Sequence, residues 1–258
     1  MSRLFVVGDV HGRYNALVTL LRETALIRED LTWMAGTSTL WFLGDLVDRG
    51  PKSIEVIDLV MRLQHEAQSV GGYVGCLLGN HEVVFMRAFR FGEKRSAGPG
   101  GTFFSDWATN GGNVTDLRKL TPARVEWLKS LPALAIANDQ LLVHADATFY
   151  LEYGRSIEAV NEALIAILTN GSPDDMDRLL FKFSHRDDFL HQEGITAARD
   201  FLKVYGGRQI IHGHSPILRI TRQRPETVTQ PFVYADGLCI NLDGAMYMGG
   251  PGFIYEVS

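Results

Sequence analysis

The stretch that decides the fold is Leu4-Phe-Val-Val-Gly-Asp-Val-His-Gly12, in which an apolar run changes abruptly into a polar, glycine-containing one. Residues 4–7 are all apolar and rich in β-favouring types, which predicts a buried central strand. Residues 15–27 follow with apolar side chains at helical spacing, which predicts a helix. The polar residues 8–12 therefore lie where the first strand ends and the chain turns towards a helix.

Two more strands repeat this arrangement. Residues 39–43 and 73–78 are apolar runs of strand length, and a helix predicted to open at Pro51 connects them. A further helical stretch runs from Asn80 to about residue 90. The alternation of strands and helices predicts an α/β fold whose first half is a mainly parallel sheet with right-handed crossovers.

The rest of the chain divides into a helical middle and a strand-rich end. Residues 92–101 are polar and rich in glycine, which predicts a loop. The remaining predicted helices are 103–107, one that begins at Thr121-Pro122, 156–169 and 196–205, and the remaining predicted strands are 134–137, 141–143, 209–212, 217–221, 232–235, 238–242 and 252–257. Because strands resume after the helices and no fixed-period repeat is present, we expect one domain over residues 1–258, with helical insertions at about 85–130 and 147–205.

The composition is that of an ordinary globular protein of 258 residues, with 46% hydrophobic and 21% charged residues. A net charge of −5 argues against a nucleic-acid coat or a polybasic membrane anchor. The apolar runs are too short to span a bilayer, and the N-terminal one passes directly into Gly8-Asp9, unlike a signal peptide. Cys76 and Cys239 stand far apart, which predicts no disulfide framework. We therefore expect a cytoplasmic protein that binds neither nucleic acid nor membrane.

Polar clusters stand at the ends of five predicted strands, at residues 8–12, 44–50, 79–82, 144 and 213–215. Open α/β sheets bind ligands at the carboxyl ends of their strands, so these side chains are expected to meet there. Carboxylate, imidazole and amide oxygen without thiolate suit divalent ions such as Mn, Fe or Zn. Five clusters supply too many ligands for one ion, and a carboxylate shared by two ions is the economical arrangement. Two such ions would activate a bridging water and hold a phosphoryl oxygen.

No single residue in these clusters is enough to predict a metal site. The prediction depends on finding all five clusters at strand ends. Asp9 alone would be read as a turn or helix cap, and His11 alone as a surface residue. The histidines at 65, 185 and 191 stand among charged residues and are expected to be solvated. His212 is nearer the clusters and is expected to pack beneath them.

The clusters, taken as motifs, resemble those of a known family. GDVHG at 8–12, GDLVDRG at 44–50, GNHE at 79–82, a later strand-end His144 and GHS at 213–215 resemble the phosphoprotein phosphatase family of binuclear calcineurin-like metallophosphoesterases. The W…NGG segment at 107–112 is similar to one in bacterial members, and residues 241–245 and 249–250 resemble the family's C-terminal ladder. The resemblance implies a bacterial-type serine/threonine phosphatase with a metallophosphoesterase-like four-layer α/β/β/α sandwich of mixed sheets.

The resemblance also implies two divalent metal ions, with Mn favoured and Fe, Zn or Ni as alternatives. It implies six ligands, which are Asp9 and His11 for the first ion, Asp45 for both, and Asn80, His144 and His214 for the second. A hydroxide that bridges the ions would attack phosphorus in line with the leaving oxygen, without a phosphoenzyme.

Five further residues receive roles from the same resemblance. Arg49 would grip the phosphate oxygens, His81 would protonate the leaving alkoxide as a general acid, and Asp48 would orient His81 and raise its pKa. Arg186, after the apolar run 179–181, is a second phosphate-binding candidate, although a solvated loop position is also open. Glu82 is expected to support the ligands from behind.

The sequence departs from the family where His144 is followed by Ala145 and Asp146 in place of glycine. Asp146 either adds negative charge near the metals or caps the turn that follows, and the cap is favoured. The SAPNYC signature of eukaryotic members is absent, and residues 231–235 occupy that neighbourhood.

Three functions remain open from the sequence. The first is a metal-dependent phosphomonoesterase acting on a phosphorylated protein, through phosphoserine or phosphothreonine, or on small phosphoesters. The second is symmetrical hydrolysis of a dinucleoside polyphosphate such as diadenosine tetraphosphate, which would need a base-binding pocket. The third is a catalytically inactive metal-binding scaffold, against which the presence of both Asp48 and His81 argues.

Overall fold

Residues 3–257 are described by the computed structural model, and they contain two β-sheets. The first sheet consists of β1 (Leu4–Val7), β2 (Thr39–Phe42), β3 (Tyr73–Cys76) and the C-terminal β9 (Ile254–Val257), in the order β3-β2-β1-β9. β1, β2 and β3 are parallel, as the alternating sequence pattern predicts, and β9 pairs antiparallel to β1. The carboxyl ends of the three parallel strands therefore lie at one edge.

The second sheet is mixed as well. It consists of β4 (Leu134–Ala137), β5 (Gln140–Val143), β6 (Gln209–His212), β7 (Phe232–Tyr234) and β8 (Cys239–Asn241), in the order β4-β5-β6-β8-β7. β5, β6 and β8 are parallel, and the two edge strands are antiparallel to their neighbours. Asn138 and Asp139 between β4 and β5 both have positive φ, 44° and 60°, the backbone that a two-residue hairpin turn requires.

The helices occupy three parts of the chain. Within residues 3–257, three follow the first three strands, six fall largely in the two segments expected to be helical insertions, and one short helix follows β6. Their bounds are α1 (Tyr14–Glu23), α2 (Ser53–Ser69), α3 (Asn80–Phe91), α4 (Phe103–Thr109), α5 (Val114–Arg118), α6 (Pro122–Lys129), α7 (Ile157–Asn170), α8 (Pro173–Phe183), α9 (Gln192–Tyr205) and α10 (Ile217–Thr221). Short 3-10 turns lie at Phe149–Glu152, Pro225–Thr227 and Met246–Met248.

The two sheets face each other across an apolar layer built from alternate strand residues. Leu4 and Val6 belong to this inner layer, together with Leu142, Ile211 and Ile240 of the facing sheet. The intervening residues, such as Phe5 and Val7, point to the opposite side, where they join the core beneath the helices. On these outer sides α2 packs against β3, and α7 and α9 pack against β4 and β6. The predicted α/β sandwich with mixed sheets is confirmed.

The prediction of a strand at 217–221 is wrong, because this segment is the short helix α10. The segment is rich in β-favouring residues, but β6 already has β5 and β8 on its two sides and offers no free edge. Pro216 precedes the helix, and Ile217 N–H donates to the Asp243 carbonyl at 3.0 Å. Tertiary context therefore overrides the local β preference.

Other boundaries shift by a few residues. α2 begins at Ser53, two residues after Pro51, where the helix was expected to open, and α9 begins at residue 192 instead of 196. α6 has the predicted start, with the Thr121 hydroxyl accepting from Arg124 N–H at 3.4 Å and proline at the first helical position. α5 and α8 were not predicted as helices.

Both cysteines are free and buried, in agreement with the sequence expectation. Among the described residues 3–257, none of the helices is both long and apolar enough to cross a membrane.

Candidate metal centre

The polar residues at the strand ends converge at one place. Asp9 and Asp45 follow β1 and β2, Asn80 opens α3 after β3, and His144 and His214 follow β5 and β6. Four of these five side chains are buried, Asp9, Asp45, His144 and His214, each no more than 5% exposed. The two sheets thus bring residues more than 200 positions apart in the sequence into contact, since Asp9 Oδ1 accepts a hydrogen bond from His214 N–H at 3.0 Å.

One group of ligand atoms surrounds Asn80 and His144. His144 Nδ1 lies 2.8 Å from the Leu43 carbonyl, so its N–H donates there and its Nε2 carries a lone pair. This Nε2 lies 3.0 Å from Asn80 Oδ1 and 3.3 Å from Asp45 Oδ1. His214 Nδ1 lies 2.8 Å from the same Asn80 oxygen. Lone pairs from a carboxylate, an amide and an imidazole therefore face one another, and a bound cation would relieve their repulsion.

A second group surrounds His11. Its Nδ1 lies 2.9 Å from the Val47 carbonyl, so the N–H donates there and Nε2 again carries the lone pair. This Nε2 lies 3.5 Å from Asp45 Oδ2 and 3.9 Å from Asp9 Oδ2. The two carboxylate oxygens of Asp45 thus face different groups, which is the geometry that a bridging ligand needs.

The residues present fit two divalent ions. Two sets of three buried residues have ligand atoms within 4.8 Å of one another, His11 with Asp45 and His81, and Asp45 with His144 and His214. The sets share Asp45, the residue that the sequence predicted as the bridge. The first set contains His81 where the sequence placed Asp9. Asp9 lies at the margin of this first set, where its Oδ2 is 3.9 Å from His11 Nε2.

Burial and mutual repulsion destabilise the charged forms of these groups, and a cation would stabilise the carboxylates. Burial raises the pKa of Asp9 well above its usual value, and the neighbouring Asp243 and Asp45 raise it further. Burial, followed by Glu82, does the same to the pKa of Asp45. Burial lowers the pKa of His144 to about 3, so its ring is neutral and able to bind a metal at neutral pH.

Glu82 holds two of the strand-end loops together from behind. Its carboxylate accepts hydrogen bonds from the N–H groups of Asp45, Leu46 and Gly79, at 2.8, 2.8 and 2.9 Å. Asp45 Oδ1 accepts from His81 N–H at 2.9 Å, and a Cβ on Gly79 would overlap this same oxygen. Glycine at position 79 is therefore required for the close approach, and Glu82 lies in the supporting position expected from the sequence.

His81 belongs to a buried hydrogen-bonded chain. Its Nδ1 lies 2.8 Å from Asp48 Oδ2, and the other Asp48 oxygen accepts from Trp107 Nε1 at 2.7 Å. Burial lowers the pKa of His81 and raises that of Asp48, so each group separately resists ionisation. As a pair, the carboxylate stabilises a charge on the ring and fixes its orientation. The sequence predicted the Asp48–His81 pair, but the partnership of Trp107 was missed.

Arg49 is held at the mouth of the site by three contacts. Its backbone N–H donates to the Gly111 carbonyl at 2.7 Å, and Nη1 donates to His11 Nε2 at 2.9 Å. The guanidinium lies 4.1 Å from the centre of the Tyr247 ring. The guanidinium thus reaches the lone pair of His11 while its side chain stays exposed to solvent. Tyr247, which the sequence analysis did not single out, also lies edge-to-face against His11 with ring centres 4.9 Å apart.

Arg186 lies within electrostatic reach of the centre. Burial lowers the pKa of His144 and of His214, and the Arg186 charge lowers both further; the same charge acts against the burial that raises the pKa of Asp243 to about 6. Asp243 is buried beside Asp9, and one of its oxygens has no hydrogen-bond partner within residues 3–257. From the sequence, Asp243 was noted only as part of the C-terminal ladder motif. Its position directly after a predicted strand is the signal that could have identified it as a site residue.

The favoured turn-cap role of Asp146 is wrong. Asp146 accepts from the Ser215 hydroxyl at 2.6 Å and from Asp187 N–H at 2.9 Å, so it ties the loop beside Arg186 to the His214 loop. The turn after Asp146 is held by Asp188, which accepts from Thr148 N–H at 2.7 Å. The histidines at 65, 185 and 191 are exposed, and His212 is buried against Tyr234, all as expected.

Comparison with known proteins gives the family. Residues 2–218 match the family model described as calcineurin-like phosphoesterase. The chain belongs to this family. The phosphoesterase prediction and the hydrolase class are thereby confirmed at the level of the family.

Two curated relatives illustrate the range within it. A symmetrical bis(5'-nucleosyl)-tetraphosphatase from Cronobacter sakazakii is 34% identical over 143 residues, which is 55% of this chain and 42% of that protein. The asymmetrical bis(5'-nucleosyl)-tetraphosphatase PrpE from Anoxybacillus flavithermus is 28% identical over 218 residues, covering 82% of this chain and 78% of that protein. The match to the first relative thus spans less than half of that protein's length.

Solved structures share the fold. A cold-active protein-tyrosine phosphatase of the psychrophile Shewanella sp. superposes with a TM-score of 0.72 at 21% identity, covering 100% of this chain and 76% of that one. A protein serine/threonine phosphatase from Saccharomyces cerevisiae gives a TM-score of 0.59 at 16% identity, covering 99% of this chain and 72% of that one. These similarities establish the sandwich architecture and leave the substrate to the residues of the site.

Proposed function

We propose that this chain is a metal-dependent phosphomonoesterase with two divalent ions in the centre around Asp45. The observation that carries the proposal is the convergence of oxygen lone pairs from Asn80 and Asp45 on His144 Nε2, at 3.0 and 3.3 Å. Neutral imidazoles and buried carboxylates in that arrangement suit Mn, Fe or Zn, and we propose Mn. Asp9 and His11 would complete the first ion's ligands, and Asn80, His144 and His214 those of the second.

The protein side chains have distinct tasks in the reaction. When bound, two divalent ions activate a water for attack and neutralise charge on the phosphoryl oxygens. Arg49 presents a fixed guanidinium at the mouth of the centre, and its paired N–H donors match phosphate oxygens. Binding of phosphate would draw Nη1 away from His11. Arg186 would add a second positive charge on the side of His144.

Protonation of the leaving oxygen is assigned to His81. The ring is oriented through Nδ1 by Asp48, which is itself fixed by Trp107, so Nε2 is the atom able to hold and deliver a proton. An alkoxide leaving group, as in phosphoserine and phosphothreonine, requires such a proton. The buried acid pair therefore supports monoester hydrolysis, with phosphorylated protein side chains as the first substrate class.

Hydrolysis of a dinucleoside polyphosphate is a second candidate, supported by two observations. Curated relatives carry that activity in their names, and a cavity lined by Phe181 and Leu180 lies beside the centre.

We also propose a cytoplasmic location for the protein, because its two free cysteines suit a reducing compartment.

The test measures product release in Mn²⁺, which is inorganic phosphate from a phosphothreonine peptide and ADP from diadenosine tetraphosphate, since symmetrical cleavage of the latter yields two ADP and no free phosphate. Wild-type protein is compared with Asp45→Asn and with the control Asp30→Asn, which changes an exposed carboxylate on a turn. Release is expected to require Mn²⁺ and Asp45 and to be unaffected by the control. Release that persists without divalent ions, or at the wild-type rate in Asp45→Asn, would overturn the proposal. The faster substrate decides between the two classes.

A further inference from the structure

The Tyr247 side chain lies against two residues of the proposed centre. Its ring centre is 4.1 Å from the guanidinium carbon of Arg49 and 4.9 Å from the ring centre of His11. The guanidinium lies over the ring face, which is a cation–π arrangement, and the His11 ring meets it edge-to-face at 77°. Tyr247 therefore contacts a proposed metal ligand and the proposed phosphate-binding arginine at the same time.

The backbone around Tyr247 fixes where this ring stands. Tyr247 lies in a short 3-10 turn, and its carbonyl accepts from Arg13 Nη2 at 2.7 Å. Ala245, just before the turn, has a φ of 54°, and its N–H donates to the buried Asp243 carboxylate at 2.9 Å. Met248 N–H donates back to the Ala245 carbonyl at 2.9 Å. Hydrogen bonds on both sides of Tyr247 thus hold the turn that presents the ring.

The contacts of Arg49 divide between its backbone and its guanidinium. The backbone N–H donates to the Gly111 carbonyl at 2.7 Å, which fixes the chain but leaves the long side chain free to rotate. The guanidinium bonds His11 Nε2 at 2.9 Å, through the lone pair that the proposed first ion would take. An ion or a phosphate at the centre would therefore displace this bond, whereas the contact with the Tyr247 ring face can persist.

The ring of Tyr247, and not its hydroxyl, makes these contacts. Within residues 3–257 the hydroxyl has no hydrogen-bond partner among protein groups, whereas the guanidinium lies over the ring. Burial raises the pKa of Tyr247, so the side chain is uncharged at neutral pH and forms no ion pair with Arg49. The attraction is therefore that between a cation and the electron-rich face of an aromatic ring, which phenylalanine would provide as well.

We propose that Tyr247 is a positioning residue that holds the Arg49 guanidinium at the mouth of the centre for phosphate binding. The inference rests on the proposed phosphoesterase function and adds a residue that acts through Arg49 without touching the reacting atoms. Holding the guanidinium in place beforehand reduces the side-chain entropy that is lost when phosphate binds. The competing role is packing against His11, in which case loss of the ring would weaken metal binding instead.

The experiment measures the dissociation constant of inorganic phosphate on the Mn²⁺-loaded protein by calorimetric titration. Tyr247→Leu is expected to weaken phosphate binding about fivefold, the effect of losing one partly exposed cation–π contact. Tyr247→Phe keeps the ring and is expected to stay within about twofold of wild type. Tyr73→Leu is the matched control and should bind as wild type does, because Tyr73 is 51% exposed and begins β3 at the end away from the centre.

The same titration in an Arg49→Ala background separates positioning from packing. If Tyr247 acts through Arg49, Tyr247→Leu is expected to have no further effect on phosphate binding once the arginine is gone. A fivefold loss in that background, or a Tyr247→Phe protein as weak as Tyr247→Leu, would overturn the inference. A loss of Mn from Tyr247→Leu that matches its loss of phosphate binding, found by elemental analysis, would assign the ring to His11 and likewise overturn it.

Hydrolysis of the phosphothreonine peptide in Mn²⁺ is the second readout on the same proteins. The value of kcat/KM is expected to fall about fivefold in Tyr247→Leu and to be unchanged in Tyr73→Leu. Equal phosphate binding in all variants of an active wild type would overturn the inference and leave the proposed function standing. Phosphate binding with the expected coupling, but without hydrolysis of this peptide or of diadenosine tetraphosphate, would contradict the proposed function while leaving the role of Tyr247 supported.

Discussion

Several residues of the centre adopt a backbone conformation that most side chains avoid. His11, Asp45, Asp48, Arg49 and His214 have φ between 47° and 66°. Each such residue costs of order 1–3 kcal/mol and persists only when the surrounding structure enforces it. Here the enforcing contacts are the hydrogen bonds of Glu82 and of the strand-end loops, and the result is that the side chains point inward to one place.

The role of Asp48 is tested by Asp48→Asn. Asparagine keeps the volume but replaces one acceptor oxygen with an NH₂ group, so it cannot accept from both Trp107 and His81. We expect kcat for phosphoserine to fall about 100-fold or more, while p-nitrophenyl phosphate, whose leaving group needs no proton, loses much less. Elemental analysis should still find the wild-type metal content. Equal losses for both substrates would refute the general-acid assignment.

The role of Arg49 is tested by Arg49→Ala. Because a charge-assisted pair of hydrogen bonds to phosphate is lost, we expect the inhibition constant for inorganic phosphate to rise about tenfold or more. Arg199→Ala removes an exposed arginine paired with Asp236 and is the matched control. Phosphate inhibition that stays the same in Arg49→Ala would show that this residue does not bind the phosphate.

The sequence predicted where the polar clusters meet because they stand directly at strand ends. The principle that parallel strands end at a common edge brought Asp45, His144 and His214 together, whereas their roles as metal ligands came from the family resemblance. Trp107 lies 59 residues from Asp48 in the sequence, and their hydrogen bond depends on how α4 packs, which local patterns do not specify. Tyr247 was missed for the same reason, since its ring reaches Arg49 from a turn after β8.

Among the elements, α8 has a helix-start signal in its sequence from which the helix could have been predicted. Ser172 precedes Pro173 at the helix start, and Asp175 returns a bond to Ser172, which together form a capping box. The opposite case is α10, whose residues favour a strand locally. No inspection of residues 217–221 alone reveals that β6, the strand before them, is already paired on both sides.

The cap of α8 predicts a pH dependence of stability. Hydrogen bonds from Ser172 lower the pKa of Asp175 from 3.8 to about 2. Because the folded-state pKa is the lower one, the stabilisation is fully present above the unfolded value and is lost as the pH falls through about 2. We expect Asp175→Asn to lower the denaturant midpoint at pH 6 and to match wild type near pH 2.

Asp174→Asn is the control for that change, because Asp174 lies in the same first helical turn without closing the capping box. It should have a smaller effect at pH 6. A difference between wild type and Asp175→Asn that does not shrink with falling pH would contradict the capping account.

At the scale of the whole molecule, the two sheets enclose a concentration of buried acids. Asp9, Asp45 and Asp243 are each no more than 3% exposed, and burial raises the pKa of all three. Buried carboxylates are costly unless a cation compensates them. The proposed metal centre is therefore also a source of instability that a bound divalent cation would remove.

Metal removal should accordingly lower the melting temperature. A ligand at 100 times its dissociation constant stabilises the folded state by about 2.7 kcal/mol per site. We expect a chelator to lower Tm by several degrees and added Mn²⁺ to restore it, as followed by calorimetry. In Asp45→Asn the response to Mn²⁺ should be small, and a full wild-type response there would contradict the shared-ligand arrangement.

Anomalous diffraction from Mn²⁺-soaked crystals is the sharpest test of whether Asp45 bridges two ions. We expect two anomalous peaks roughly 3.5–4 Å apart, one on each side of the Asp45 carboxylate. One peak should lie near His11 and Asp9, and the other near Asn80, His144 and His214. A single peak, or two peaks that do not both contact Asp45, would contradict this bridging arrangement.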